Sequence, residues 1–393
     1  MFHQLLNHND DLRRLVQKGY AVALDGGYLV VRDIPYLDAQ RQLQWGAFVA
    51  KLEFADKLTV QQDNHQIWFA GSVPHGLDAK PISNLGGGPT SLPLGTESSD
   101  VVVQRRFSNK PAATGRYVDF FDKIESYLTL IAGPAMELHN ANPRTFRTKD
   151  TMSSSVFKAH DTLTSRAEIL DLSAKFGEDV VAVIGLGGTG AYVLEFLVKT
   201  PVKEIRGFDL DLFHVHNVFR SPGRLEESEL RKPKASVYQG RYENFRHGLK
   251  LERKLIDAAS TADLHGVTFA FVCVDKGSSR SQIFDLLIAK KIPFIDVGMG
   301  LDRKRGPING MIRVTYYSAE ASEAVRAKGL AEMSDPPDDI YRTNIQIGEI
   351  NALNACLAVI RFKQLRGFYF AEPAYHHLLF EIGDLKTVGE SEL

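Results

Sequence analysis

A glycine-rich loop near the middle of the chain directly follows a short apolar run. The run is Val180–Ile184, and residues 185–190 read GLGGTG. Gly185 would permit the tight turn, Gly187 would let phosphates approach the backbone, and Gly190 would let the next helix pack closely on the strand. The N-terminus of that helix would offer free N–H groups and a positive dipole end to an anion. The pattern predicts a nucleotide-binding loop between a strand and a helix.

An acidic residue, Asp209, stands nineteen positions after Gly190 at the end of a second apolar run, Glu204–Phe208. A carboxylate at this distance typically holds ribose hydroxyls in dinucleotide-binding folds. The glycine loop and this aspartate leave two interpretations open. One is an NAD(P)-dependent oxidoreductase, and the other is an enzyme that uses ATP.

The polar residues that follow favour ATP. They are Asp211, Asn217, Arg220, Lys234 and Asp275. An adenylyltransferase must hold a triphosphate and neutralise charge as pyrophosphate leaves, which fixed arginine and lysine side chains do well. Magnesium prefers carboxylate and phosphate oxygens, which suits an aspartate at a strand end. Hydride transfer does not require such a set.

These motifs together resemble the ubiquitin-activating-enzyme superfamily of the ThiF/MoeB type. The segments are GLGGTG, FDLDLFHVHNVFR, KPKA, VCVD and SR, in this order and at compatible spacing. The superfamily includes bacterial adenylyltransferases that act on sulfur-carrier proteins. The resemblance covers roughly residues 160–370 and is more specific than the glycine loop alone.

The resemblance implies a role for each matching residue. Gly185, Gly187, Gly188 and Gly190 would cradle the nucleotide. Asp209 and Asp211 would bind the ribose or shape its pocket. Asn217, Arg220 and Lys234 would contact the phosphates, and Asp275 would bind Mg²⁺. Arg166 is similar to the family's upstream arginine, which reaches the phosphates of the opposite subunit, so the resemblance implies a homodimer.

The nucleophile for any later step differs from the family pattern. Enzymes of this superfamily that form a thioester carry an exposed cysteine, whereas Cys273 and Cys356 lie in apolar runs and are expected to be inert. The chain would then hand its acyl-adenylate to a partner, rely on a partner's cysteine, or use a hydroxyl. For the hydroxyl, the candidates are Ser318, Ser322 and Ser334.

The motifs predict ATP-dependent adenylation of the C-terminal carboxylate of a ubiquitin-like protein, followed by transfer to a conjugating enzyme. The N-terminal part resembles domains fused to such enzymes in bacterial ubiquitin-like conjugation operons, which are associated with phage defence. A tRNA base or a small peptide would be a substrate within the same chemistry. The alternatives from other classes are the NAD(P)-dependent oxidoreductase and a non-catalytic nucleotide-binding scaffold.

The elements that would position these residues alternate between strand and helix after about residue 166. Strands are predicted at Val180–Ile184, Glu204–Phe208, Val267–Val274, Pro293–Val297 and Asn309–Tyr317, and helices at Gly190–Lys199, Ser278–Lys291 and Asn344–Leu365. Buried runs that alternate with helices predict a Rossmann-like, mostly parallel sheet with helices on both faces. His214 and His216 fall between two motifs and are interpreted as solvated loop residues.

Shorter β-type runs and one helical pattern at Tyr117–Leu138 occupy the first part of the chain. They predict a smaller α+β recognition domain at residues 1–145, joined by a connector at 146–165. The adenylation domain is expected at 166–375, with a C-terminal tail at 376–393.

Composition excludes several broad classes. The net charge of −1 gives no global attraction for nucleic acid or an anionic membrane. The first residues lack the apolar stretch of a secretory signal, and no run of 18 apolar residues is present to span a bilayer. With only two cysteines, a cytoplasmic protein is expected.

Overall fold

The computed structural model describes residues 2–95, 98, 100–112, 114–147, 155–159, 161, 163–164, 167, 169–303, 306–335 and 345–391. Arg166 lies outside these residues. The chain forms two compact units, Met1–Ala174 and Lys175–Leu393.

The first unit is an antiparallel sheet with helices. Its helices are α1 (Phe2–His8), α2 (Asp10–Gln17), α3 (Phe120–His139) and α4 (Leu170–Ala174). Its strands are β1 (Ala21–Asp25), β2 (Tyr28–Leu37), β3 (Leu43–Phe54), β4 (Val60–Gln62), β5 (Ile67–Ala70), β6 (Gly88–Pro89) and β7 (Arg105–Phe107). The strand order is β1-β2-β3-β5-β7-β6, with β4 paired to β3.

Alternation along β2 fixes the two faces of this sheet. Val31 packs on the side that carries the helices, whereas Val30 packs on a separate cluster made with loop residues such as Val101. Helix α3 begins where the Asp119 side chain accepts a hydrogen bond from the Asp122 backbone N–H at 2.8 Å. This satisfies one of the amide groups that a helix start leaves free. The predicted α+β character of this part is confirmed.

The second unit contains the predicted α/β domain. Its helices are α5 (Gly188–Val198), α6 (Val215–Val218), α7 (Lys234–Tyr242), α8 (Gly277–Ala289), α9 (Ser322–Ala327) and α10 (Gly348–Leu365). Its strands are β8 (Val180–Ile184), β9 (Glu204–Phe208), β10 (Leu249–Glu252), β11 (Phe269–Val272), β12 (Phe294–Asp302), β13 (Asn309–Tyr317), β14 (Tyr375–Glu381) and β15 (Lys386–Ser391).

The eight strands form one sheet in the order β10-β9-β8-β11-β12-β13-β14-β15. The strands from β10 to β12 in this order pair in parallel. Strands β13, β14 and β15 then continue the sheet from β12 by antiparallel pairing. The Rossmann-like, mostly parallel fold is therefore confirmed. Strand β10 has the mixed pattern LKLE, which gave no strand signal in the sequence.

Helices cover both faces of this sheet, as the alternation of β8 shows. Val181 and Val183 pack with α5, α7 and α10, whereas Ala182 and Ile184 pack with α8 on the other side. Burial on both faces explains why the strand has an uninterrupted apolar sequence.

Residues 376–393 were predicted as a tail, but β14 and β15 occupy most of this segment as the last two strands of the sheet. Strand β14 pairs with β13 from Thr315–His377 to Met311–Glu381. The pattern YHHLLFE alternates poorly because two histidines fall on adjacent positions, so the sequence gave no strand signal.

No helix in the described ranges is long and apolar enough to cross a membrane.

Candidate nucleotide-binding site

The strand order places a crevice at the carboxyl edge of the parallel sheet. Strand β9 lies on one side of β8 and β11 lies on the other. In open α/β sheets, ligands bind at the carboxyl ends of two neighbouring strands whose following connections run to opposite sides of the sheet. The glycine loop follows β8, Asp209 follows β9, and Asp275 follows β11 after two residues. The topology therefore gathers three sequence-predicted motifs at one edge.

The glycine loop is packed so closely that Gly185, Gly188 and Gly190 leave no space for a side chain. Gly185 has a φ of +93°, and a Cβ there would lie 2.6 Å from the Cys273 carbonyl oxygen. A Cβ on Gly190 would lie 1.9 Å from the Gly185 carbonyl oxygen. Gly187 differs, since nothing lies within 4 Å of its Cβ position. The open side of the loop is therefore at Gly187, where a phosphate can approach the backbone.

Asp209 supports the loop from beneath. Its carboxylate accepts hydrogen bonds from the backbone N–H groups of Leu186 at 2.7 Å and Asp211 at 2.8 Å. Burial raises the pKa of Asp209, although Lys234 and both backbone donors act in the opposite direction. Asp209 thus ties the glycine loop to the segment after β9, in keeping with a role in shaping the pocket.

Lys234, at the start of α7, is buried and faces two carboxylates. Its Nζ lies 2.8 Å from Asp211 Oδ2 and 3.4 Å from Asp209 Oδ1. Burial acts to raise the pKa of Asp211, but the hydrogen bond and charge of Lys234 outweigh it and leave that pKa below its ordinary value. The Asp211 side chain is 72% exposed, so the lysine is held at the edge of an open space.

Asn217 and Arg220 belong to the short helix α6 and the turn after it. The buried Asn217 side chain accepts a hydrogen bond from the His214 backbone N–H at 2.7 Å. Arg220 has a buried Nε for which the described residues provide no acceptor. Burial lowers the pKa of Arg220, and the nearby Asp275 carboxylate acts against that shift. An unsatisfied arginine donor at this position fits a ligand that brings acceptor oxygens.

These residues surround a cavity of about 500 Å³. Four predicted residues line it, namely Asp211, Asn217, Arg220 and Lys234. Five further lining residues were not predicted as site residues: Leu210, Leu212, His214, His216 and Arg253. Arg253 follows β10, the strand that the sequence did not reveal. The glycines and the exposed Asp275 do not line this cavity, although Asp275 lies close enough to influence Arg220.

Asn351 of α10 is another residue that was not predicted for the site. It is buried, and its Oδ1 accepts a hydrogen bond from Thr189 Oγ1 at 2.9 Å. Its Nδ2 lies 3.5 Å from the Arg220 carbonyl oxygen, and a Cβ on Gly188 would lie 2.4–2.6 Å from its amide atoms. Asn351 therefore holds the glycine loop and the Arg220 turn together.

A buried ion-pair cluster supports the segment that carries Asp275. Asp296 on β12 is fully buried between Arg280, at 3.0 Å, and Arg313, at 2.5 Å. Arg280 also donates to the carbonyl oxygens of Val274 and Glu332. The residue before Asp275 is thus anchored through Arg280 to the centre of the sheet.

The three candidate serines differ in their surroundings. Ser318 Oγ accepts a hydrogen bond from the Ala321 backbone N–H at 3.0 Å, and the buried Ser322 donates to the Ser318 carbonyl oxygen. Ser334 is exposed. Among the described residues, neither a histidine nor a carboxylate is hydrogen-bonded to any of these hydroxyls. A hydroxyl nucleophile normally needs such a base.

Both cysteines have pKa values raised by burial. Cys273 packs beneath the glycine loop, where its Cβ would lie 3.1 Å from a Cβ on Gly190. A thiol with a raised pKa is a poor nucleophile at neutral pH.

Comparison with known proteins gives two family matches. Residues 156–360 match the ThiF family, and residues 10–162 match a domain of unknown function (DUF6791). No curated protein matches the sequence.

Solved structures with a similar fold include MccB and PaaA. E. coli MccB is 14% identical over 57% of this chain and 65% of its own length, with a TM-score of 0.42. The structure of MccB with AMPCPP and MccA is 15% identical over 59% of this chain and 71% of the MccB chain, with a TM-score of 0.45. PaaA is 16% identical over 57% of this chain and 76% of its own length, with a TM-score of 0.42. The match therefore spans less than two thirds of the first of these chains.

The ThiF match extends over more than half of the chain. It contains the glycine loop and the other motifs that carry the resemblance, and it leaves out most of the N-terminal unit. The resemblance predicted from the motifs is thus confirmed. This chain belongs to the ThiF family.

Proposed function

We propose that this chain is an ATP-dependent adenylyltransferase that activates the C-terminal carboxylate of a ubiquitin-like protein. The observation that carries the proposal is the convergence of Asn217, Arg220 and Lys234 on one cavity beside the glycine loop. Helix α6, the turn after it and the start of α7 supply these side chains, all of them in the segment between β9 and β10.

The cavity suits a triphosphate better than a dinucleotide. Arg220, Lys234 and Arg253 give it a concentration of positive charge, and Asp211 is the acidic residue in its lining. The unsatisfied Arg220 Nε needs an acceptor, and the open Gly187 leaves room for a phosphate at the loop. Fixed cations of this kind stabilise phosphate charge as it develops.

In the proposed reaction, a carboxylate oxygen of the carrier protein attacks the α-phosphorus of ATP. The new oxygen–phosphorus bond forms as the bond from the α-phosphorus to the bridging oxygen breaks, and pyrophosphate leaves with that electron pair. Arg220 and Lys234 hold the phosphates and offset the charge of the leaving group. Positioning both reactants in one crevice supplies much of the remaining rate enhancement.

Asp275 is the proposed Mg²⁺ ligand. Its carboxylate is exposed at the carboxyl end of β11, near Arg220. Mg²⁺ is usually held by one or two carboxylates together with substrate phosphates, so a single aspartate is sufficient on the protein side. When bound, the ion would neutralise phosphate oxygens, while Arg280 keeps the backbone next to Asp275 in place.

The raised pKa values of Cys273 and Cys356 favour direct transfer of the acyl group from the adenylate to a conjugating partner. The hydroxyl route through Ser318, Ser322 or Ser334 has weaker support, because no base contacts them among the described residues. The homodimer with Arg166 acting across it, the N-terminal unit as a recruitment module, and a role in antiphage conjugation remain parts of the proposal.

Two rival functions predict different chemistry. An NAD(P)-dependent oxidoreductase would bind nicotinamide and release no pyrophosphate. A nucleotide-binding scaffold would bind ATP without turnover. A chain that adenylates a small peptide or a tRNA base would release pyrophosphate but would not respond to a ubiquitin-like protein.

The test is ATP–pyrophosphate exchange measured with purified candidate ubiquitin-like proteins. Exchange should require the carrier and its free C-terminal carboxylate. Arg220→Ala and Asp275→Ala should each lower the exchange rate by roughly 10²–10³-fold, since the first removes a cation from the phosphates and the second removes the proposed Mg²⁺ ligand.

Arg224→Ala is the matched control, because Arg224 is exposed and pairs with Glu226 outside the cavity. Its exchange rate should stay near that of the unaltered chain. Normal exchange in both site variants would refute the assignment of Arg220 and Asp275. Nucleotide binding with no exchange under any carrier would favour the scaffold.

A further inference from the structure

Two histidines stand side by side in the lining of the cavity. His214 precedes α6 and His216 lies within it. Their rings are stacked, with centroids 5.6 Å apart and planes inclined by 22°. Both residues are exposed, and both line the cavity. We refer to His214 and His216 as the imidazole pair.

The imidazole pair faces the charged side of the cavity. Burial lowers the pKa of His216, and the charges of Arg220, His214 and Lys234 lower it further, in that order. Arg253 and Asp211 are the remaining charged residues of the lining. The ring of His216 is therefore a neighbour of the two cations assigned to the phosphates.

We propose that the imidazole pair contacts the terminal phosphates of the bound nucleotide and gives the site its preference for a polyphosphate over a monophosphate. The proposal deepens the adenylation function above and rests on it for the choice of ATP as the ligand. The shared chemistry is that of a polyphosphate anion, so inorganic pyrophosphate, the leaving group, should bind through the same rings.

The physical argument is one of charge. Without a bound anion, the charges of Arg220 and Lys234 oppose a proton on His216. A polyphosphate with several negative charges reverses the sign of the local field and accepts hydrogen bonds from both rings. Charge-assisted hydrogen bonds of this kind are stronger than neutral ones. Binding should therefore be coupled to proton uptake by His216.

The pH dependence follows from the direction of the shift. The pKa of His216 in the empty cavity lies below the ordinary value of about 6.5. Binding raises that pKa, so proton uptake is largest between the two values, near neutral and mildly acidic pH. At pH 8 or above His216 should stay neutral in both states, and its contribution to affinity should become small.

The experiment is calorimetric titration of the full chain with ATP, inorganic pyrophosphate and AMP, without any carrier protein. The test variant is His214→Asn/His216→Asn. At about pH 6.5 it should bind ATP and pyrophosphate roughly tenfold more weakly, while AMP affinity stays unchanged. The deficit should shrink at pH 8. In two buffers with different ionisation enthalpies, the unaltered chain should take up protons and the variant should not.

His265→Asn is the matched control, because His265 is exposed and lies outside the cavity lining. Asn217 accepts its hydrogen bond from the His214 backbone, which the substitution leaves available. The His214 side chain also caps α6 at the Asn217 backbone N–H, and asparagine at position 214 can replace it in that role. Thermal unfolding of each variant separates loss of binding from loss of structure.

Unchanged affinity for ATP and pyrophosphate in the double variant would overturn the proposal, as would an equal loss of AMP binding. A lack of proton uptake in the unaltered chain would also overturn it. Because no carrier protein is present, these outcomes are independent of the exchange assay. If the chain prefers ATP and pyrophosphate over AMP as predicted but shows no carrier-dependent exchange, the role of the imidazole pair is supported and the adenylation function is refuted.

Discussion

Two glycines of the same loop should differ in how the same substitution changes the stability of the fold. A methyl group on Gly190 would lie 1.9 Å from the Gly185 carbonyl oxygen and 3.1 Å from Cys273 Cβ. A methyl group on Gly187 would meet nothing within 4 Å. Gly190→Ala therefore tests the packing of the loop on its helix, and Gly187→Ala tests the space kept open for the ligand.

The size of the Gly190→Ala effect follows from the distances. To restore even a 3.0 Å separation from the Gly185 carbonyl oxygen, α5 and the loop must move apart by about 1.1 Å. Overpacking of this kind typically costs about 1–3 kcal/mol. At roughly 2–4 °C per kcal/mol for a domain of this size, Tm should fall by about 2–12 °C. Nucleotide affinity should also fall, since the phosphate-binding backbone is displaced.

Gly187→Ala should leave Tm within about 2 °C, because changes away from packed features usually cost within about 0.5 kcal/mol. It should still weaken ATP binding by roughly tenfold or more, because the methyl group occupies space at the open side of the loop. The assays are thermal unfolding and calorimetric titration with ATP. Equal loss of stability in both variants, or normal ATP affinity in Gly187→Ala, would refute this account of the loop.

Four further predictions follow from buried groups. Asp296→Asn leaves two arginines without their buried carboxylate, and thermal unfolding should report a loss of about 3–5 kcal/mol; a change under about 0.5 kcal/mol would contradict the cluster. Burial lowers the pKa of Lys123 to about 8, so the unfolded state binds the extra proton between about pH 8 and 10.4 and stability should rise over that range. Lys123→Met should lack this rise in denaturant titrations, and identical pH slopes would count against it. Asn351→Ala should raise the dissociation constant for ATP about tenfold in calorimetric titration, because the Thr189 and Arg220 contacts are lost; unaltered ATP binding would exclude a positioning role. Iodoacetamide at pH 8 should leave Cys273 and Cys356 unlabelled in the native chain, and rapid native labelling of either would reopen a thioester route.

The sequence was most informative where the physical signal is local. An apolar run, a glycine loop and a helix are adjacent in the chain, so neighbouring residues alone are enough to place Val180–Ile184 and the loop at 185–190. The order of the remaining motifs predicted which side chains would meet at the sheet edge, and Asp211, Asn217, Arg220 and Lys234 do share one cavity.

The tertiary structure decided what depends on contacts between distant segments. Asn351 meets the glycine loop although the two are more than 160 positions apart, and no local pattern distinguishes it from a polar residue on a helix surface. The same holds for Arg253, which follows a strand too short and mixed to be recognised, and for His214 and His216, whose pattern indicated only a solvated loop. The sequence by itself determined the nucleotide loop and its polar partners, because strand and turn preferences are encoded in neighbouring residues. Only the folded chain determined which other side chains complete the cavity, because the sheet order brings them together.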